Sequence, residues 1–233
     1  MKPPSKAAVP QPHDPALALS RTMAAIHQRG WCDGTGGNFS CVLSHEPLQL
    51  LMAPSGVHKG QVQPHDLIQV DGTGQVVQGN GKASAETALH LAIVRCCQAG
   101  AVLHTHSQAG TLLSQWALEQ AGAGTQQPAS AGQLELAGLE MLKGLEGITT
   151  HATRVHLPVL ANDQNLDRLS QRASPLLPDA PQGLLIGGHG LYAWGRDLST
   201  AERHLEILEF LLEQRWRQLL LQALSDRTAH PQT

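Results

Sequence analysis

The chain has 233 residues, of which 41% are hydrophobic and 3% aromatic, and its formal net charge is -3. That length fits one domain whose core is built mainly from aliphatic side chains. Because the charge is mild and no basic block is present, nucleic acid and membrane surfaces are disfavoured as main partners. No apolar stretch approaches the length of about 18 residues that a transmembrane helix needs. The Pro-rich first 15 residues lack the apolar segment of a signal peptide, so none is expected.

The cysteines indicate a reducing compartment. The chain has four of them, Cys32, Cys41, Cys96 and Cys97, and none forms a C-x-x-C pair. Neighbouring residues such as Cys96 and Cys97 would rarely bridge each other. We therefore expect free thiols and a cytoplasmic location.

The first half of the chain is predicted to contain one helix followed by short strands. Residues 1–13 are expected to form a disordered arm, 14–224 a single domain and 225–233 a flexible tail. Asp14 and Pro15 supply an N-cap and a first-turn proline for a helix that runs to about His27. After a glycine-rich turn, the predicted strands are 39–43, 48–52, 67–70 and 75–78, the last two joined as a hairpin.

The second half is predicted to alternate helices with strands. The spacing of apolar residues favours helices over 84–97, 108–118, 134–143 and 163–173, strands over 101–104, 154–160, 183–186 and 191–194, and a flexible loop over 119–131. A capping box at 199–202 begins a last helix that runs to about Leu224, and its excess of leucines predicts a subunit contact. Hairpin-joined strands followed by helix-joined strands indicate a mixed sheet with helices on its faces.

Two histidines at alternate positions of an apolar strand point to a metal site. His104 and His106 would project from the same face, because strand side chains alternate between faces. Convergent imidazoles suit a borderline divalent ion, zinc first. His189 lies between two glycines that permit close backbone approach, which makes it the third candidate ligand. Three histidines with an open position are typical of catalytic zinc. The chain has 13 histidines, however, and for each of them the alternative is a surface position or a hydrogen-bonded position in the core.

Three small polar turns are candidates for binding a phosphate group. Residues 36–40, 53–56 and 82–84 each combine backbone N–H groups with a hydroxyl or an amide. Ser84 is also predicted to open a helix, where the helix dipole favours an anion. Each turn alone is a weak signal, because Gly, Pro, Ser and Asn form turns throughout proteins.

Four charged residues complete the set of candidates. Lys59 and Lys82 would add positive charge near a phosphate, although a single lysine more often lies on a solvated surface. Glu86 and Glu140 both fall on predicted helices. A carboxylate beside a metal-bound sugar can move protons, which makes both of them candidate acids or bases. An exposed helix face is the ordinary alternative for either glutamate, and spacing alone does not exclude it.

Five motifs in register resemble the class II aldolase/adducin family. They are Gly36-Gly37-Asn38-Phe39-Ser40, Ala53-Pro54-Ser55-Gly56-Val57, Lys82-Ala83-Ser84-Ala85-Glu86-Thr87, His104-Thr105-His106-Ser107 and Gly188-His189-Gly190. Their order and spacing match from about residue 15 to residue 220. The resemblance implies a three-layer α/β/α fold with a central mixed, largely antiparallel sheet.

The resemblance also implies ligands and roles for individual residues. It implies one zinc ion per subunit, a small sugar phosphate as substrate and a homotetramer. The implied zinc ligands are His104, His106 and His189, and the implied phosphate contacts are Asn38, Ser55, Gly56 and Ser84, with Lys59 added. Ala85 stands where aldolase-like members often carry a second hydroxyl, so a backbone amide or Lys59 would replace that contact.

Four further segments, 31–38, 54–59, 139–144 and 190–195, are similar to the members of the family that remove water from a sugar phosphate. In that branch Glu140 is our first choice for the base, with Glu86 or Glu140 returning a proton. A sugar-phosphate aldolase or 4-epimerase with the same metal site is one alternative. A non-catalytic adducin-like assembly domain is a more remote one. The loop at 119–131 is the candidate lid over the rest of the substrate.

Overall fold

The computed structural model describes residues 14–124 and 129–229. In chain order its helices and strands are α1 (Pro15–Gln28), β1 (Asn38–His45), β2 (Leu48–Met52), β3 (Ile68–Asp71), β4 (Val76–Gln78), α2 (Thr87–Cys97), β5 (Ala101–Thr105), α3 (Gln108–Ala121), β6 (Ala131–Ala137), β7 (Arg154–Leu160), α4 (Leu166–Ala173), β8 (Gly183–Ile186), β9 (Gly190–Gly195) and α5 (Leu198–Ala229). Short 3₁₀ helices occupy Lys59–Gln61, Pro64–Asp66 and Glu140–Gly144.

The strands of the described residues form one mixed sheet in the order β4-β3-β2-β1-β5-β9-β8-β7-β6. Every neighbouring pair is antiparallel except β7 and β8, which are parallel. β5 lies at the middle of the sheet between β1 and β9, and all of its residues are buried. The strand that carries the predicted metal ligands is therefore held by hydrogen bonds on both sides.

Two apolar clusters cover the two faces of this sheet. Side chains of α1, α3 and α5 pack on one face together with Leu103, and side chains of α2 and α4 pack on the other face together with Val102. Adjacent residues of β5 therefore contribute to opposite layers, as the alternation of a strand requires. The three layers confirm the fold class that the resemblance implied.

The segment 134–143 does not form the helix that its spacing predicts. Residues 131–137 form β6, which pairs antiparallel with β7 along its whole length, and a 3₁₀ helix follows. Leu134 and Leu136 are buried whereas Gln133 is exposed and Glu135 half-exposed, which is the alternation of a strand. The buried Leu142 belongs to the second element. The apolar residues of β6 and of the 3₁₀ helix together thus have the spacing that is typical of a single helix.

The N-terminus of α5 is also capped differently from the prediction. Thr200 donates its backbone N–H to Oδ1 of Asp197 at 2.7 Å, so the predicted capping box at 199–202 does not form. Glu202 instead accepts a hydrogen bond from Oγ1 of Thr22 on α1 at 3.2 Å. The contact between α1 and α5 therefore uses the carboxylate that the sequence pattern assigns to the cap.

The last helix extends beyond the predicted end of the domain. α5 continues to Ala229, so residues 225–229 of the predicted tail are helical, whereas the predicted arm at 1–13 and residues 230–233 lie outside the described residues. All four cysteines are free thiols. None of the helices in 14–124 and 129–229 combines the length and apolarity needed to cross a membrane.

Candidate metal centre

Four side chains converge at the end of β5. Nε2 of His104 lies 2.8 Å from Nε2 of His106. Oε1 of Glu86 lies 3.3 Å from Nε2 of His104 and 3.1 Å from Nε2 of His189. One nitrogen or oxygen from each of the four residues lies within 4.8 Å of the others. Imidazole and carboxylate donors in such a group suit a single divalent ion.

Backbone contacts orient two of the three histidines. Nδ1 of His104 donates to the carbonyl of Leu191 on β9 at 2.9 Å, so Nε2 is the nitrogen that faces the cluster. The His104 ring also stacks on Tyr192, with centroids 3.9 Å apart and planes 11° apart. The backbone N–H of His106 donates to the carbonyl of Trp31 at 2.7 Å. These contacts fix the His104 imidazole without using the nitrogen that faces the cluster, and they fix the backbone of His106.

Glycines near the candidate ligands allow the backbone segments to approach closely. Gly190, which follows His189, has φ +154°, and a Cβ there would lie 1.9 Å from the carbonyl oxygen of Thr105. Gly37 has φ +75°, and its Cβ would lie 2.7 Å from the carbonyl oxygen of His104. Any side chain at these positions would collide with the backbone of β5. The glycine motifs therefore pack the surrounding turns against the ligand strand.

We expect Gly190→Ala to destabilise the protein by about 2–4 kcal/mol, because the new methyl group collides with the Thr105 carbonyl. Gly30→Ala is the matched control. Gly30 has φ +71° but nothing within 4 Å of its Cβ position, so this variant should lose only about 1 kcal/mol. Urea denaturation measures both values. Equal losses would show that the close approach at Gly190 is unimportant.

Glu86 and His106 have the protonation states that a metal ion requires. Burial alone would raise the pKa of Glu86, but hydrogen bonds and charge from His104 and His189 outweigh it and hold that pKa well below its usual range. Burial, assisted by His104 and His189, lowers the pKa of His106 to about 3. A metal ion binds the deprotonated forms of both groups. The cluster therefore presents an ionised carboxylate and a neutral imidazole at neutral pH.

The cluster lies at the wall of a pocket of about 460 Å³, a size suited to a small metabolite. Glu86, His106 and His189 line this pocket. The predicted phosphate-binding residues line the same pocket, and these are Asn38, Ser55, Gly56, Lys59 and Ser84. The structure thus brings together residues that lie far apart in the sequence.

Two of the pocket residues carry hydrogen-bond donors suited to an anion. Lys59 is 2% exposed and donates to the carbonyls of Thr35 at 2.9 Å and Val57 at 3.0 Å, which leaves its ammonium one further N–H. Oδ1 of Asn38 accepts from the backbone N–H of Phe39 at 3.0 Å, whereas Nδ2 is buried without a partner among the described residues. An unpaired buried donor is costly, so Asn38 fits a role in holding a ligand.

Two expectations about the phosphate site are not met. Ser84 does not open a helix, because α2 begins at Thr87 and Glu86 occupies the position before it. The Ser84 hydroxyl instead accepts from the backbone N–H of Glu86 at 3.3 Å, in a turn at the pocket wall. Lys82 is exposed and does not line the pocket. The cationic contribution to the pocket therefore comes from Lys59.

Glu140 lies outside the pocket. It occupies the 3₁₀ helix Glu140–Gly144, its side chain is 69% exposed, and it pairs with Lys143 at 2.6 Å and with His151 at 3.4 Å. The hydrogen bond and charge of Lys143 lower the pKa of its carboxyl. Glu86 is therefore the only one of the two candidate acid/base glutamates that contacts the cluster within the described chain.

One wall of the pocket was not found from the sequence. Asn162, Asp163 and Gln164, between β7 and α4, line the pocket beside the cluster together with Leu166, the first residue of α4. None of the described residues of the predicted lid at 119–131 lines it, and residues 125–128 lie outside the described chain. The sequence signal that could have identified this wall is the run of polar residues directly after a buried strand, because loops at such places often carry binding residues.

Residues 18–216 match the family model for the class II aldolase and adducin N-terminal domain, a span that includes the whole cluster and pocket. The chain belongs to this family. Methylthioribulose-1-phosphate dehydratase from Gluconobacter oxydans is 44% identical over 188 residues, which cover 80% of this chain and 84% of that protein. The enzyme of the same name from Pectobacterium atrosepticum is 41% identical over 211 residues, which cover 88% and 96%.

The family also appears among solved structures. The crystal structure of L-fuculose-1-phosphate aldolase from Thermus thermophilus superimposes with a TM-score of 0.65 at 24% identity, covering 92% of this chain and 97% of that one. At that identity the likeness concerns the fold. The superposition therefore supports the fold of this chain, in which a nine-stranded sheet carries the cluster at the end of β5.

Proposed function

We propose that the protein is a methylthioribulose-1-phosphate dehydratase, a hydro-lyase of methionine salvage. Its reaction would convert 5-methylthioribulose 1-phosphate to 2,3-diketo-5-methylthiopentyl 1-phosphate. The observation that carries the proposal is one pocket that holds both the three-histidine cluster and the donors of an anion site. Relatives of that name at 41% and 44% identity over most of the chain select this substrate within the family.

The donor set fits a divalent metal ion, and we propose zinc. His104, His106 and His189 would hold the ion through their Nε2 atoms, and the donation from His104 to the Leu191 carbonyl is the outer contact typical of metal-ligating histidines. When bound, such an ion supplies Lewis acidity that lowers the cost of removing a proton next to a carbonyl group. Glu86 would stand beside the ion as a fourth ligand or as a group that exchanges protons with the substrate.

The same pocket would hold the substrate phosphate. The free N–H of Lys59, Nδ2 of Asn38 and the hydroxyl of Ser55 face a common space, together with the turn at Gly56. A charged hydrogen bond to phosphate is stronger than a neutral one, so Lys59 should contribute most. Holding the phosphate there fixes the orientation of the reacting carbons relative to the cluster.

We expect Lys59→Met to raise the KM for 5-methylthioribulose 1-phosphate about 10- to 100-fold, because a charged hydrogen bond contributes about 1.5–3 kcal/mol. The kcat should change less, since the hydrogen bonds of Lys59 go to the carbonyls of Thr35 and Val57 and only its charge acts on Glu86 and His106. Lys82→Met removes an exposed lysine outside the pocket and should leave both constants unchanged. Steady-state kinetics of the two variants measure the effect. A KM of Lys59→Met equal to that of Lys82→Met would contradict the phosphate assignment.

The proton transfers need a base for C3 and an acid for the C4 hydroxyl. The base takes the C3 proton, the C4 hydroxyl departs as water with a returned proton, and the enol product tautomerises to the 2,3-diketone. Glu140 is our proposed base and either Glu140 or Glu86 the acid. The contacts of Glu86 with His104 and His189 support a role in proton exchange for this residue.

Glu140 can reach a substrate at the cluster if a second subunit contributes it. It lies next to Met141, which is 38% exposed, and the cavity that Leu139 lines is shared with the exposed side chains of Phe210 and Leu221 on α5. Exposed apolar side chains of this kind favour a subunit contact. We therefore propose a homotetramer in which Glu140 of one subunit enters the pocket of its neighbour.

The free cysteines agree with the proposed cytoplasmic location.

A turnover assay with 5-methylthioribulose 1-phosphate tests the proposed function. The expected result is a product lighter by one water, formed by zinc-loaded protein and suppressed by a chelator. Cleavage of a ketose phosphate to an aldehyde instead would assign the chain to the aldolases, and interconversion at C4 would assign it to the epimerases. Bound metal without any of these reactions would contradict the proposed activity.

A further inference from the structure

A buried carboxyl group lies behind the metal-ligand strand, on the opposite face of the sheet. Thr105 separates His104 from His106, so its side chain points away from the cluster and toward α5. Oγ1 of Thr105 donates to Oε1 of Glu209 on α5 at 2.5 Å. Both residues are 0% exposed. The centre of the His-x-His sequence is thus tied to a helix in another layer.

The Glu209 carboxyl is held without a cationic partner. Its Oε2 has no hydrogen-bond partner in the described chain, and the ionisable group that acts on it is another carboxyl, that of Glu213. Burial raises the pKa of Glu209 to about 7, against the lowering effect of the Ser107 and Thr105 hydroxyls. A carboxyl in such surroundings is costly to bury. If this position served folding alone, an apolar side chain of the same size would stabilise the protein as well as Glu209 does.

The groups around Glu209 connect it to the geometry of the ligands. Thr105 pairs with Leu191 across β5 and β9, and the Leu191 carbonyl orients His104. Ser107 caps α3 by accepting from the backbone N–H of Gly110 at 3.0 Å. Glu209 therefore acts on Thr105, the residue that precedes His106, and His106 is the candidate ligand just beyond the end of β5.

We propose that Glu209 is a positioning residue that holds Thr105, and through it the end of β5, so that His104 and His106 face one metal ion. This inference deepens the proposed function and rests on its metal site. Second-layer contacts of this kind commonly change metal affinity by about 10- to 100-fold when they are removed. The contact acts on the backbone between the ligands, whereas Leu191 acts on an imidazole directly.

Thr105→Val and Thr105→Ser separate the hydroxyl contact from packing. Valine keeps the shape of threonine but cannot donate to Glu209, whereas serine keeps the donor. We expect Thr105→Val to weaken zinc binding about 10- to 100-fold. Thr105→Ser should recover most of the affinity. Zinc titration of chelator-stripped protein against a chromogenic competitor measures these values, and the visible spectrum of the Co²⁺-loaded form reports ligand geometry.

Glu209→Gln and Glu209→Met provide the same test from the other side of the contact. Glutamine keeps an oxygen that accepts from Thr105 and should bind zinc almost as the unaltered protein does. Methionine removes the acceptor and should show the loss. Glu213→Gln is the matched control, because Glu213 lies one turn further along α5 and pairs with Arg217 at 3.2 Å. It should change neither zinc affinity nor the Co²⁺ spectrum.

The outcomes separate this inference from the proposed function, since zinc affinity is measured without substrate. Weakened zinc binding with an altered Co²⁺ spectrum in Thr105→Val or Glu209→Met supports the positioning role, even if the protein dehydrates no substrate. Unchanged affinity and spectrum in both variants would overturn it. Loss of folding in both would also overturn it, because the contact would then be structural.

Discussion

Replacing His106 with alanine is expected to abolish stoichiometric metal binding and to lower kcat about 10³-fold or more. Nε2 of His106 lies 2.8 Å from Nε2 of His104, so the variant removes one of three imidazoles from the cluster. A metal ion acting as a Lewis acid contributes several kcal/mol, and each 1.36 kcal/mol is a factor of about ten in rate. Metal content per subunit by mass spectrometry and turnover under saturating substrate measure the two effects.

His65→Ala is the control for this variant. The His65 side chain is 82% exposed and its nearest carboxylate partner is Asp66 at 3.6 Å, outside the cluster. Both metal content and kcat should stay at the values of the unaltered protein. Full metal content in His106→Ala would show that the ion is held elsewhere. Full turnover by metal-free His106→Ala would remove the metal from the proposed reaction.

Replacing Glu140 with glutamine is expected to lower kcat about 10²- to 10⁴-fold, the usual range for loss of a general acid or base. Metal content should not change, because Glu140 does not belong to the cluster. The melting temperature should also change little, since the side chain is 69% exposed and its ion pair with Lys143 is at the surface. Retention of normal turnover would show that Glu140 is not the base and would leave Glu86 as the candidate.

Mixed assemblies of two inactive variants decide whether Glu140 acts across a subunit contact. Glu140→Gln and His106→Ala would be co-expressed with different tags and purified as hybrids. If each site takes its metal ligands from one subunit and Glu140 from a neighbour, random mixing restores about a quarter of the sites. Recovery near that level supports a shared site. If the single Glu140→Gln variant is impaired but hybrids recover nothing, Glu140 acts within its own subunit.

Local chemistry made parts of this fold predictable. The side chain of Asp14 accepts from the backbone N–H of Ala16 at 2.9 Å, as expected for an N-cap followed by proline. β5 follows from a short apolar run and carries His104, and His106 just beyond its end lies within reach of the same ion. Signals of this kind depend on residues a few positions apart, which are close in space whatever the rest of the chain does.

Predictions failed where a distant contact competed with a local one. Glu202 had the spacing of a capping box, but its carboxylate bonds to Thr22 on α1 and Asp197 caps α5 instead. Leu134 and Leu142 had helical spacing, yet the first lies on β6 because β7 offers a complete row of pairing partners. Whether a segment forms backbone hydrogen bonds to a neighbouring strand depends on residues far away in the sequence, so the segment's own residues do not reveal it.

The sequence by itself determined the family resemblance of this protein, because each of the five motifs is specified by residue types at short spacing, and the layered fold and the three candidate histidines followed from that resemblance. Only the tertiary structure decided which of these residues share a pocket. It placed Glu86 beside the histidines, Glu140 on the surface and the polar segment 162–164 at the pocket wall. It also placed Glu209 behind Thr105. Such distances depend on how helices and strands pack across the sheet, and packing joins residues that no local pattern relates.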